Sequence, residues 1–285
     1  MSTESAKLFI VFGASDPEIA YAKQLCNQLS IPYGDALYQG ASVTPGTAYK
    51  ADGVSQEIPD NYNIVFFECK VQGISPDFVL DHHDDTHPRS VIGPEEYYRG
   101  SSLGQLIETI VQGDNWKLDH GHFTVSGEAS SLTLSDEYLY VMAADHCPAD
   151  AYKGKCPYID IGKLSTWREE SRAKFQNVPV DVIRNKITRA IEKISSFPRI
   201  FILGEEIIDA RGQGVVPELP EASLRLCMPI MYGPIPTREG RDKCGILGAS
   251  PELIQAWLDR KIEPSKNLRD LYGVPKRGYA GGYRE

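Results

Sequence analysis

No apolar run in this 285-residue chain approaches the roughly 20 residues that a membrane-spanning helix needs; the longest near the start is Leu8 to Phe12, inside KLFIVFGAS. The charged leader and small-residue cleavage pattern of a secretory signal are also missing, so the expectation is a cytoplasmic protein without a membrane partner. Cysteine is sparse and scattered. The six residues (Cys26, Cys69, Cys147, Cys156, Cys227, Cys244) include no CxxC pair, which argues against a disulfide framework and for reduced core thiols. Basic charge is not in excess either: 30 Lys+Arg against 39 Asp+Glu leave −9 at pH 7, excluding long-range attraction to duplex nucleic acid as the mode of action. Internal repeats and low-complexity segments are absent. With 41% hydrophobic residues, disorder as the main state is excluded as well.

What is present reads as alternating strands and helices. Residues 7 to 13 (KLFIVFG) are a short continuous apolar run ending in Gly, and residues 17 to 30 place apolar positions at helical spacing after Asp16, predicting strand, loop and helix. Asn63 to Cys69 (NIVFFEC) and Asp77 to Leu80 (DFVL) read as further buried strands, and Gly104 to Val111 as a helix. The run Glu137 to Ala144 fits either type. Strands buried on both faces and alternating with helices predict an α/β fold with a parallel sheet covered by helices. Val180 to Ser196 has helical spacing, and Pro198 stops it. The expected organisation is therefore a first domain over 1–178, a helical connector over 179–197 and a second, smaller α/β domain over 198–285. In that last part RIFILGE reads as a strand, Pro251 to Leu258 as a short helix, and YGVPKRGYAGGYRE as an irregular, Gly-rich tail. Residues 225 to 285 hold 11 Lys+Arg and 7 Asp+Glu, a net of +4 that leaves −13 for the rest. The second domain is the better candidate for holding an anionic ligand.

The densest chemical signal is Asp81-His82-His83-Asp84-Asp85-Thr86-His87, directly after DFVL. In open α/β sheets the loops at the carboxyl ends of strands form the ligand crevice. Mixed imidazole and carboxylate ligands suit Mn²⁺, Fe²⁺ or Zn²⁺, whereas an all-oxygen set suits Mg²⁺ or Ca²⁺; the alternative is a solvated acidic loop. Glu68 closes the strand NIVFFE, and Asp145 with His146 is read as closing another, so a parallel sheet brings Glu68, Asp81 to His83 and Asp145 to one edge. Asp16 and Glu18 follow the first strand, where Asp16 is equally a helix N-cap. His87 and His146 read as hydrogen-bonding residues rather than catalytic ones. His146-Cys147 with Cys156 lacks a fourth ligand at zinc spacing, and core packing accounts for it better.

These residues resemble the DHH phosphoesterase superfamily, whose members carry HxxxDxD after the first strand, an acid after a later strand, then Asp-His-His and a further Asp. The matching positions are Phe12 to Glu18 (FGASDPE), Glu68, Asp81-His82-His83 and Asp145, with RGSSLGQLIE (Arg99 to Glu108) similar to the Ser-Ser helix start downstream. The resemblance covers residues 7 to 150. It departs at Phe12, where the family has histidine, and at Glu18 and Glu68, where it has aspartate. The resemblance implies a hydrolase in which two Mn²⁺ ions activate water for in-line attack on phosphorus. It further implies Asp16 and Glu18 on one metal, His82 and Asp145 on the other and Glu68 bridging, with Asp81 acting from behind the ligands and His83 facing substrate or leaving group.

Substrate contacts are expected from Ser101 and Ser102 and from a second domain resembling the family's phosphate-gripping one, through Lys276, Arg277, Gly281 and Gly282; a flexible tail is the alternative. Tyr279 and Tyr283 are candidates to stack on a base or to pack, and Arg238 to Lys243 reads as a solvated turn or part of the anion surface. The implied substrate is a small phosphorylated molecule, a nucleotide or short oligonucleotide before pyrophosphate, with Mg²⁺ or another divalent ion as the alternative to Mn²⁺. Two rival functions remain: a nucleotide-binding or sequestering protein without turnover, motivated by Phe12, and a metal-dependent enzyme of another reaction class on the same site.

Overall fold

A computed structural model describes residues 7–83, 87–111, 116–119, 122–125, 134–237 and 240–284, the two short strands at 116–125 as backbone alone. Asp84, Asp85 and Thr86 of the His-rich loop, and Arg238 with Glu239, lie outside the described residues. Contacts divide the chain into two units, 1–147 with 156–167, and 148–155 with 168–285.

In the first unit, β1 (Leu8–Phe12) is followed by α1 (Pro17–Gln28), β2 (Tyr33–Tyr38) and the two-residue strands β3 (Ala41–Ser42) and β4 (Gly53–Val54). Next come β5 (Asn63–Phe67), β6 (Phe78–Leu80), α2 (Tyr97–Gly100), α3 (Ser102–Ile110), the hairpin strands β7 (Trp116–Asp119) and β8 (His122–Val125), and α4 (Asp136–His146). The main sheet runs β3-β2-β1-β5-β6 with β4 also on β2. β1 pairs in parallel with β2 and β5, and β5 with β6, while β3 and β4 join antiparallel. The expected parallel sheet is thus the centre of a mixed one. Phe9 to Phe12 and Val65 to Phe67 are buried, because strands flanked on both sides and covered on both faces need apolar residues at every position.

The second unit takes α5 (Pro148–Tyr152), the later part of α6 (Ile161–Gln176) and α7 (Val180–Ser195). Its strands and helices are β9 (Arg199–Ile202), β10 (Glu205–Arg211), α8 (Leu219–Leu226), β11 (Ile230–Pro236), β12 (Asp242–Leu247), α9 (Pro251–Leu258), α10 (Glu263–Lys266), β13 (Arg269–Val274) and β14 (Tyr279–Arg284). The sheet order is β13-β14-β12-β11-β10-β9, antiparallel except for β10 with β11. Trp257 of α9 packs with Met231 and Ile246 in one core, and Ala190 and Ile194 of α7 pack with Ile208 and Ile230 in another. The division between the units falls inside α6, and the helix read as a connector, α7, contributes Ala190 and Ile194 to the second unit's core. The apolar stripe of α7 needs a surface to cover it, and that sheet supplies one.

The tail also differs from the irregular reading. Residues 279–284 form β14, hydrogen-bonded to β12 on one side and β13 on the other. A side chain at Gly281 would run into the Tyr272 phenol, and one at Gly282 into Leu271, so these glycines make room for neighbouring side chains within a sheet.

Candidate metal centre

Two local features draw the ends of β1 and β5 together. Gly13 donates its N–H to Phe67 O at 2.9 Å, and any side chain there would collide with the Glu68 carbonyl. Glu68 itself has φ +52°, a left-handed conformation that costs a non-glycine residue about 1 kcal/mol or more. Strain at that one residue turns its carboxylate to the strand's carboxyl end. Asp16 then starts α1 by accepting from Ile19 N at 2.7 Å, and Glu18, in the first helical turn, points inward and is 1% exposed. Asp16 thus acts as the N-cap, while the charges of Asp145 and Glu68 still reach it.

His82 is the centre of the group. Its Nε2 lies 2.6 Å from Asp145 Oδ2, 3.2 Å from Glu68 Oε1 and 3.8 Å from Glu18 Oε2. His83 Nε2 lies 3.1 Å from the same Glu68 oxygen. Ligand atoms of Glu68, His82, His83 and Asp145 all fall within 4.8 Å of one another. His82 Nε2 finds no hydrogen bond of good alignment despite these approaches, and Glu18 Oε2 is buried without one. Two nitrogens and two carboxylate oxygens converging in this way can hold a divalent metal ion.

Burial raises Asp16 to about 7, helped by Asp145 and Glu68. Glu18 is raised well above the usual carboxylate range by burial and by Asp145, Glu68 and Asp16, against the Leu103 N–H that holds its other oxygen at 2.9 Å. Glu68 moves the other way: burial would raise it, but the imidazoles of His82 and His83 hold it at about 2. Burial lowers His82, and Asp145 and Glu68 outweigh that to bring it to about 9. Among the described residues Asp16, Glu18, Glu68 and Asp145 crowd together, and a bound cation would favour the ionised forms of the two that are raised.

The element carrying Asp145 needs correction, and the other residues acquire definite partners. Asp145 does not close a strand: it sits in the last turn of α4, whose residues 138 to 143 are all buried. His83 Nε2 lies with the atoms of Glu68, His82 and Asp145 that could hold an ion. Asp81 is buried, accepting from Tyr49 Oη at 2.7 Å and from His83 N at 2.7 Å, so both oxygens hold the loop. Ser101 Oγ accepts from Gly104 N at 3.0 Å as the N-cap of α3, and Ser102 Oγ donates to Glu68 Oε1 at 2.8 Å; both serines are fully buried. Phe12 is also fully buried, against Tyr33 and Phe67, and supplies no ligand.

His87 caps a short turn by accepting from Arg89 N at 3.3 Å, as expected of a hydrogen-bonding residue. Cys147 and Cys156 contact each other, Sγ to Sγ 3.3 Å. In the second unit Lys276 and Arg277 occupy a 3₁₀ turn before β14. Tyr279 and Tyr283 share one face of that strand by its period of two, and Arg241 lies 4.0 Å over the Tyr283 ring. The sequence reading gave Tyr49, Gln105 and Gly13 no part here. Gly13 at a strand end was the one readable signal.

No family model matches the chain, and no curated protein is significantly similar to it. Among the described residues no helix is long and apolar enough to cross a membrane.

Proposed function

We propose that this chain is a metal-dependent phosphoesterase of the DHH type, hydrolysing a phosphate ester or anhydride in a small nucleotide or short oligonucleotide. The observation that carries the reading is the convergence of Glu68, His82, His83 and Asp145 within 4.8 Å, with Asp16 and Glu18 beside them. Those are the positions at which the sequence resembles that superfamily. Bound Mn²⁺ would supply water activation and charge neutralisation at phosphorus. The chain's own part is to fix the ligands: Ser102 and the strained backbone aim Glu68, Leu103 N aims Glu18, and Tyr49 with Asp81 holds the loop carrying His82 and His83. Lys276 and Arg277 are the cations proposed for the substrate's phosphate.

The test is release of phosphate or mononucleotide, with added Mn²⁺, from short oligonucleotides, cyclic dinucleotides, mononucleotides and pyrophosphate. Release that needs the ion and is lost in His82→Ala supports the reading. A second reading, nucleotide binding without turnover, is favoured by the burial of Phe12 where the family has a histidine. Nucleotide affinity with no release from any substrate would select it.

A further inference from the structure

His146 has no counterpart in the family pattern, and the structure places it against His82. Its Nε2 is 3.0 Å from the carbonyl oxygen of Ile92, and its Nδ1 is 3.0 Å from Nδ1 of His82. The ring planes lie within 30° of each other with centroids 5.2 Å apart, so the two rings meet edge to edge through these nitrogens. A carbonyl only accepts, so His146 Nε2 carries the proton that fills this bond. The neutral ring then has its lone pair at Nδ1. Two facing nitrogens share one proton, so His82 Nδ1 is the donor. For a neutral His146 the direction is the same whether or not His82 Nε2 also carries a proton.

We propose that His146 is a positioning residue that fixes His82 in the Nδ1–H tautomer, through the chain Ile92 C=O, His146, His82, and so leaves His82 Nε2 to ligate the ion. The proposal rests on the metal-site reading above. Without an acceptor at Nδ1, the proton of a neutral His82 is better placed on Nε2, against the Asp145 and Glu68 oxygens, where it blocks ligation. The seat for His146 is built for one ring. A side chain at Gly100 would run into His146 Nε2 and Cε1, and the Gly100 carbonyl accepts from Gln105 Nε2 at 3.0 Å. The same Gln105 nitrogen donates to the carbonyl of Asp81, also at 3.0 Å. Gly100 and the residue preceding His82 are therefore tied to one side chain, and ring position and tautomer are set together. Groups that orient a metal-bound histidine through its other nitrogen are worth about 10–100-fold in metal affinity.

The experiment is calorimetric titration of metal-free protein with Mn²⁺, comparing wild type, His146→Leu and His146→Asn, with thermal unfolding of each. His146→Leu, folded, is expected to bind about 10–100-fold more weakly. His146→Asn keeps an acceptor near the Nδ1 position and is expected to recover much of that loss. In the wild type, long-range ¹H–¹⁵N spectra of the Zn²⁺-loaded protein should show His82 protonated at Nδ1 and His146 at Nε2. These spectra need no substitution and decide the question where a variant does not fold. Wild-type affinity in folded His146→Leu, or a proton on His146 Nδ1, overturns the relay alone. Wild type that takes up no ion overturns the metal-site reading beneath it.

Discussion

In the second unit Glu221, 1% exposed, meets Arg168 at 2.7 Å and Arg225 at 3.2 Å and accepts from Tyr152 Oη at 2.8 Å. Glu169 beside it meets Arg184 and Arg225, each at 2.9 Å. In the first unit Glu18 is equally buried, yet its charged neighbours are Glu68, Asp145 and Asp16, and among the described residues the cation that approaches it is the His82 imidazole. The first arrangement is balanced within the chain and needs nothing more. The second crowds carboxylates in a buried place, where Asp16 and Glu18 are pushed toward their protonated forms until a cation offsets their charge. Burial with an unbalanced sign, rather than burial of charge as such, separates a candidate site from a structural ion-pair network.

Substitutions should split the two clusters cleanly. The largest effect expected is on turnover in His82→Ala: more than about a 100-fold loss of Mn²⁺-dependent release, since even a residue behind the ligands is worth about 10–100-fold. Stability of the metal-free variant should fall as well, since Glu68 and Asp145 lose an imidazole that faces them. Arg168→Met should lower stability alone, leaving Glu221 without its closest cation and costing about 3–5 kcal/mol. The double variant Arg168→Met/Glu221→Leu should recover much of that, with Mn²⁺ affinity unchanged throughout. An affinity change in either would break the comparison.

Acid should separate the clusters too. Burial would raise Glu221, but Arg168, Tyr152 and Arg225 hold it at about 2 against an ordinary 4.5. Its folded-state pKa is depressed, so its contribution is full above the unfolded value and is lost as pH falls from about 4.5 toward 2. The size is on the order of 3 kcal/mol. Asp16 has the opposite sign. Raised from 3.8 to about 7, it favours the fold at low pH, and that contribution disappears as pH rises through this interval. Saturating Mn²⁺ should therefore stabilise the protein more at pH 8 than at pH 5, as thermal unfolding with and without the ion would read. The smallest effect is expected from Ser102→Ala, which removes one hydrogen bond to the Glu68 carboxylate. A bond to a charged group is worth about 1.5–3 kcal/mol, so Mn²⁺ affinity should fall by about 10-fold or somewhat more; no change would mean that Ser102 does not aim Glu68.

Parts of this picture were legible in the sequence. Continuous apolar runs marked β1 and β5 because central parallel strands have no polar face, and Asp16 announced α1 through its capping chemistry. The His-rich loop after DFVL marked the candidate site. Asp145 was assigned to the right cluster on the wrong element: Tyr138 to Ala143 are all buried, so a helix covered on every side shows no amphipathic period to read. The tail hid its strand for a different reason. Gly281, Gly282 and Pro275 look like loop residues, and only Tyr272 and Leu271, packed against the two glycines, explain why glycine is needed there. The orientation of Asp81 and the seat of His146 depend on Tyr49, Gln105 and Gly100, residues brought together by the fold with no spacing that announces it.

The central claim is that the Glu68, His82, His83 and Asp145 cluster holds a divalent ion. Electron paramagnetic resonance of free Mn²⁺, titrated with metal-free wild type and His82→Ala, tests it most directly. The account predicts loss of the free-ion signal with wild type, to at least one ion per chain, and far weaker loss with the variant. Equal behaviour of the two proteins would contradict it.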